Sequence, residues 1–318
     1  MSNQEIRDPI HNFIRLETEE MRVLDCGPFQ RLRHIHQLAL TYLLYPSATH
    51  RRFEHSLGVM ELASRVYDVI TDPDNIHESV RSIIPRKFDL EYWRRALRMA
   101  ALCHDLGHLP FSHAAERDLL PAGWDHERLT LELIRSGEME PIWTAMKVNS
   151  EDVAKLAVGP KHYKDSRFDD WEAILSEIIV GDAFGVDRMD YLLRDSHHIG
   201  VAYGRFDQYR LIDTLRILPK VDRTSEEEPG SQEPALGIEE GGIHSAEALL
   251  LARYFMFSQV YCHHVRRIYD IHLKDFLKSW LPGGVFSTSI EELLRMTDSE
   301  VTQELSKAAR DENHPGFD

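Results

Sequence analysis

The 318-residue chain has few cysteines, fewer basic than acidic residues and no long apolar run. Its three cysteines, Cys26, Cys103 and Cys262, are widely scattered and form no CxxC pair, which argues against a disulfide framework or a cysteine-built zinc site. No apolar stretch approaches the roughly 20 residues that span a bilayer. The opening Met1-Ser2-Asn3-Gln4-Glu5 also lacks the basic and apolar regions of a secretion signal. These absences lead us to expect a cytoplasmic protein with no membrane partner. With 37 Lys and Arg against 53 Asp and Glu, the formal charge is −16, which repels a polyanion and disfavours an extended nucleic-acid track. A small anion can still be held by a local group of arginines. The chain has no internal repeat, and its 42% apolar content is enough for a large core.

Helical periodicity dominates what is present. Ala96, Leu97, Ala100, Ala101 and Leu102 recur at helical spacing within 93–106, as do Leu57, Met60, Leu62, Ala63 and Val66 within 56–69. Further helices are expected at 127–136, 151–158, 170–182, 187–196, 245–279 and 289–308. The clearest strand signals are Thr214 to Val221 and Ala235 to Glu239, flanking an acidic stretch rich in Ser, Pro and Gly. The expected fold is therefore mainly α, with a small β-hairpin insertion. We divide it into a catalytic core over 1–212, a hairpin with an acidic flexible tip over 213–244, and a C-terminal helical part over 245–318.

Three islands carry the chemistry. They are Arg52-Phe53-Glu54-His55-Ser56-Leu57-Gly58, Cys103-His104-Asp105-Leu106-Gly107-His108 with Pro110-Phe111-Ser112-His113, and Gly185-Val186-Asp187-Arg188-Met189-Asp190-Tyr191. Neutral imidazole and carboxylate together suit a divalent metal of intermediate softness. In a helix His104 and Asp105 point about 100° apart, so both reach one ion only at a helix end. Gly107 and Pro110 supply such an end. One His-Asp pair alone reads more simply as a histidine-rich helix terminus. Three islands offering His55, His104, Asp105 and Asp187 match the ligand count of a metal site that keeps positions for water and substrate. His108, His113 and His126 remain as surplus histidines, from which an acid or base can be drawn.

These motifs resemble the HD-domain phosphohydrolases, and within them the deoxynucleoside triphosphate triphosphohydrolases, a family that includes bacterial dGTPases and the vertebrate SAM-and-HD-domain enzyme. The similarity starts at Asp8-Pro9-Ile10-His11 and runs through Phe29-Gln30-Arg31-Leu32-Arg33, Gln37-Leu38, the three islands and His197-His198-Ile199-Gly200. It implies a helical fold with His55, His104, Asp105 and Asp187 as ligands of a divalent metal: manganese, iron or magnesium, with zinc, cobalt or nickel as alternatives. It also implies attack of activated water on the α-phosphorus, releasing deoxynucleoside and triphosphate. His126 falls at the proton-donating histidine, Glu116 at its partner carboxylate, and His108 and His113 beside them.

The resemblance further places Arg52, Arg188, Tyr191 and Arg253 at phosphate contacts, Asp195 at the sugar 3′-hydroxyl, Gln37 and Leu38 against the sugar, and Tyr261 under sugar and base. Arg188 stands where the family has lysine, so a planar fork replaces a point charge. Asp25, Gln30, Arg31 and Arg33 match part of a site where a second nucleotide acts as allosteric effector in the vertebrate enzyme, while Gln4 and Arg7 depart from it. A homo-oligomer is implied as well. Alternative readings are a related phosphohydrolase acting on nucleoside monophosphates, cyclic or signalling nucleotides, or a nucleotide-sensing interaction subunit.

Overall fold

The fold is built around one buried helix, Arg52–Ile70. Its start is set by Glu54, whose carboxylate accepts the Arg51 backbone N–H at 2.7 Å, and apolar side chains on most of its circumference are buried. A helix that is apolar nearly all round has to be enclosed. Lys87–Cys103, Asp170–Val180 and Val186–Ile199 pack against it. This computed structural model describes residues 4–112, 116–219, 233–311 and 314, leaving aside the side chains of Glu116 and Arg117.

The predominantly helical architecture agrees with the sequence expectation, and so does the hairpin. Leu215–Pro219 pairs antiparallel with Pro234–Ile238, in the register Leu215 opposite Ile238. Its acidic tip lies outside the described residues. Two expected helices are interrupted. The stretch 245–279 forms Ile243–Met256, a π-helical turn Phe257–Tyr261, and a new helix His264–Trp280. The wide turn shows in the Cys262 N–H reaching back to the Phe257 carbonyl. The stretch 289–308 breaks between Ile290–Arg295 and Asp298–Ala308, where Thr297 and Glu300 form a capping box for the second piece.

One element was missed altogether. Gln4–Asp8 and Asn12–Leu16 form an antiparallel hairpin. Its second strand alternates, with Ile14 and Leu16 buried and Phe13 and Arg15 exposed, but five residues are too few for the periodicity to stand out. Asn12 turns the chain at φ 66°, a conformation asparagine tolerates better than most residues.

Candidate metal centre

Each island is delivered by the end of a helix. Arg52–Ile70 carries His55 in its first turn, and His104 caps the C-terminus of Lys87–Cys103. Val186–Ile199 carries Asp187 in its first turn. The helix-end position expected for His104 and Asp105 is thus what the fold provides. Gly107 has a specific reason to be glycine, because a Cβ there would lie 2.1 Å from the His126 carbonyl oxygen and 2.4 Å from the Thr130 nitrogen. Its absence lets the His126–Ile134 helix close against the metal-site turn.

His55, His104 and Asp105 are all buried, and their donor atoms lie within 4.8 Å of one another. Asp187 joins them, its Oδ1 3.0 Å from His55 Nε2 and 3.6 Å from His104 Nε2. The other ring nitrogens are held away: His55 Nδ1 is 2.7 Å from Asp190 Oδ2, and His104 Nδ1 donates to the Ala101 carbonyl at 2.8 Å. His104 Nε2 is buried and has no hydrogen-bond partner. An orphaned imidazole nitrogen facing two carboxylates is costly unless a cation occupies the space between them. The donor set is therefore a fit for a divalent metal.

The electrostatics show a site that draws positive charge, which a proton on His55 supplies when no ion does. Burial disfavours a charged His55, yet its hydrogen bonds to Asp187 and Asp190 push its pKa up to about 10. Burial also disfavours the ionised forms of Asp105 and Asp187. Arg52 nevertheless holds Asp105 well below the carboxylate range, and His104 and His55 do the same for Asp187. His108 is pushed the other way, first by burial and then by Arg52, so it is neutral.

The substrate-side residues divide into two groups. Arg52, Gln37, His108, His126 and Tyr191 line one cavity of about 630 Å³ together with His104, Asp105 and Asp187. Arg52 donates to Asp105 Oδ2 at 2.5 Å and to Ser112 Oγ at 2.9 Å. His126 stacks on His108 with centroids 4.0 Å apart. Outside that lining, Leu38 is buried, Arg188 approaches Asp182 at 3.9 Å, and Arg253 lies over the Phe257 ring. Asp195 is 1% exposed and has both oxygens engaged, with His50 Nε2 at 2.8 Å and the Tyr261 hydroxyl at 2.6 Å. His113 and the Glu116 side chain lie outside the described residues.

Of the expected effector residues, Asp25 and Arg33 are exposed, Gln30 is half-buried and Arg31 is buried. Gln30 bonds the Leu24 carbonyl and receives Arg33 Nε at 2.9 Å. Arg31 instead points inward, donating to the carbonyls of Met296 and Leu106. Burial lowers its pKa to about 10.

Sequence reasoning missed His11, Asp190, Arg194, His50 and Asp298, all buried around the site. Asp190 and Arg194 have the i,i+4 spacing of a helical ion pair, and His11 and Asp190 stand in the quoted motifs, but nothing local shows that His11 meets Asp190, His50 meets Asp195 or Asp298 meets Phe111. A second trio of potential donors, Asp125, Glu127 and His162, stands at the start of the His126–Ile134 helix. There Asp125 already serves as the N-cap, accepting from the Arg128 N–H at 2.8 Å.

Fold and site together define a helical, metal-dependent hydrolase. The HD domain family matches residues 52–193, and the HD associated region matches 206–314. A crystal structure of a hypothetical protein from Aquifex aeolicus superimposes with a TM-score of 0.78 at 35% identity, covering 99% of this chain and 74% of that one. An uncharacterized protein of Methanocaldococcus jannaschii is 38% identical over 269 residues, which is 85% of this chain and 48% of its own length. The deoxynucleoside triphosphate triphosphohydrolase SAMHD1 of Gallus gallus is 34% identical over 235 residues, 66% of this chain and 36% of that protein. The chain thus spans about half the length of the first of these curated relatives and about a third of the second. The chain belongs to the HD-domain phosphohydrolase superfamily. Among its described residues no helix is long and apolar enough to cross a membrane.

Proposed function

We propose that the chain hydrolyses deoxynucleoside triphosphates to deoxynucleoside and inorganic triphosphate. The observation that carries this reading is the cavity of about 630 Å³ in which His104, Asp105 and Asp187 share a wall with Arg52, Tyr191 and His126. A divalent ion bound at those ligands would lower the pKa of water towards about 7 and polarise a phosphoryl oxygen. Arg52 brings a positive fork to the phosphate chain, and Tyr191 offers it a hydroxyl. His126, half-buried at the start of its helix with Nδ1 3.2 Å from Glu127 Oε2, is the group to protonate the departing 5′-oxygen. Asp195, held by His50 and Tyr261, is the carboxylate for the sugar 3′-hydroxyl, and Gln37, which lines the cavity and whose buried Oε1 has no hydrogen-bond partner, lies against the sugar.

The activity for which the Gallus gallus relative is named supports the choice of substrate. In this reading residues 1–212 are the catalytic core, 213–244 a hairpin beside it, and 245–318 a helical part of the same domain. A homo-oligomer belongs to the reading too, and exposed Leu250, Leu251, Tyr254 and Phe255 offer it an apolar surface.

The test is a product assay over the four dNTPs and four NTPs with magnesium, manganese and cobalt. Triphosphate released from at least one dNTP is the expected result. Phosphate or diphosphate as the product would move the assignment to another phosphohydrolase reaction, and binding without turnover under every metal would make the chain a nucleotide sensor.

A further inference from the structure

The N-terminal hairpin ends in a chain of buried polar contacts that leads to the metal site. His11 Nε2 is 2.6 Å from Asp190 Oδ1, and Asp190 Oδ2 is 2.7 Å from His55 Nδ1. Arg194 binds both Asp190 oxygens, at 2.8 and 2.9 Å, and donates to Asp8 Oδ2 at 2.8 Å. Asp8 Oδ1 accepts the backbone N–H groups of Ile10 and His11, which shapes the turn that presents His11. His11 is 1% exposed, Asp190 and Arg194 0%, and Asp8 4%. Gly58 makes room for the group: a Cβ there would lie 1.9 Å from Asp190 Oδ1.

We propose that Asp8 and His11 are positioning residues of the metal centre, acting through Asp190 to hold His55 with its Nε2 turned to the ion, so that the hairpin sets how tightly the ion is retained.

An ionised carboxylate only accepts hydrogen bonds, so the bond to Asp190 keeps a proton on His55 Nδ1, and Nε2, which faces Asp187 at 3.0 Å, is the nitrogen that gives up its proton to take an ion. With four donor contacts on its two oxygens, Asp190 has no freedom to rotate and release His55. Charge acts in the same direction. Arg194 is shared between Asp190 and Asp8, so the buried group carries a net negative charge beside the ligands, which strengthens the imidazole as a donor and favours a cation. Without Asp8 the guanidinium would neutralise Asp190 alone. Neither Asp8 nor His11 falls inside the segment matched to the HD domain, which begins at residue 52.

The proposal rests on the metal site and is independent of the substrate. The experiment measures manganese and cobalt dissociation constants against a competing chelator, the visible spectrum of the cobalt form, and thermal unfolding of the metal-free protein. The proteins compared are the wild type, His11→Ala, His11→Gln and Asp8→Asn. His11→Ala should bind metal roughly 10- to 100-fold more weakly, with an altered cobalt spectrum. His11→Gln, which keeps an N–H near the Nε2 position, should bind close to wild type. Asp8→Asn should weaken binding while preserving volume, and it carries the test if His11→Ala does not fold. Wild-type affinity in every folded variant, with only the metal-free unfolding temperature lowered, would overturn the proposal. Equal losses in His11→Ala and His11→Gln would also overturn it. A wild-type protein that binds neither ion would instead refute the metal site.

Discussion

Replacing Asp298 with alanine should destabilise the protein by about 3–5 kcal/mol, the cost of stranding the partners of a buried charge. Asp298 is 3% exposed and sits at the start of the Asp298–Ala308 helix. Its Oδ1 accepts the Phe111 N–H at 2.7 Å, and its Oδ2 accepts the His36 N–H at 2.7 Å and contacts His36 Nδ1 at 2.6 Å. A hydrogen bond to a charged group is worth roughly 1.5–3 kcal/mol, and its loss leaves buried donors unmatched. Three such bonds that share one carboxylate are not additive, which sets the range. Asp298 is also the leading counter-charge of the buried Arg31.

The bond to Phe111 matters further because Phe111 and Ser112 have φ of 54° and 41°, a left-handed pair costing about 1–3 kcal/mol per residue to maintain. Once released, that turn relaxes and Ser112 Oγ withdraws from Arg52 Nε. Asp298→Asn should lose roughly half as much as the alanine variant, since Oδ1 still receives Phe111 while an amide N–H now faces the His36 donor. Urea unfolding with metal removed provides the assay, read as a change in midpoint at constant slope. A loss below about 1 kcal/mol for Asp298→Ala, at unchanged slope, would refute the reasoning, because three buried bonds would then weigh no more than one exposed pair.

His126→Asn should lower turnover by about 10²- to 10⁴-fold while manganese binding stays at the wild-type level, and a parallel loss of metal would contradict a proton-donor role. Gly107→Ala should destabilise by roughly 3 kcal/mol or more, because its Cβ meets the His126 carbonyl at 2.1 Å; wild-type thermal stability would show that the two turns can part without cost. His198, stacked on His50 at 4.4 Å, is lowered to about 4 by burial, with His50 and His197 adding to the effect. The unfolded chain therefore takes up this proton first, and the associated stability is full above about pH 6.5 and lost as pH falls towards 4. The ring is half-buried, so the effect is discounted to roughly 1 kcal/mol. His198→Gln should narrow the stability difference between pH 7.5 and pH 5 by that amount, and an unchanged difference counts against it.

The site was legible where ligands come as short islands. His104 and Asp105 are adjacent, and the breakers that end their helix stand within six residues, so their placement at a helix end follows from local rules. The break at Thr297 was also within reach, since Thr297 and Glu300 have the spacing of a capping box. The π-helical turn was not, because its wide turn exists together with a contact from Tyr261 to Asp195, 66 residues away.

By itself the sequence determined the helical class, the hairpin, the metal-binding chemistry and the superfamily, because periodicity and ligand islands are short-range properties of the chain. Tertiary structure decided which polar residues stand behind the ligands. His11 meets Asp190 across 179 residues, and Asp298 meets Phe111 across 187. It also turned Arg31 inward and closed Asp195 on His50 and Tyr261. The physical reason is that a buried polar group must find a partner wherever the packed helices bring one, and no pattern local to the chain records which partner that is.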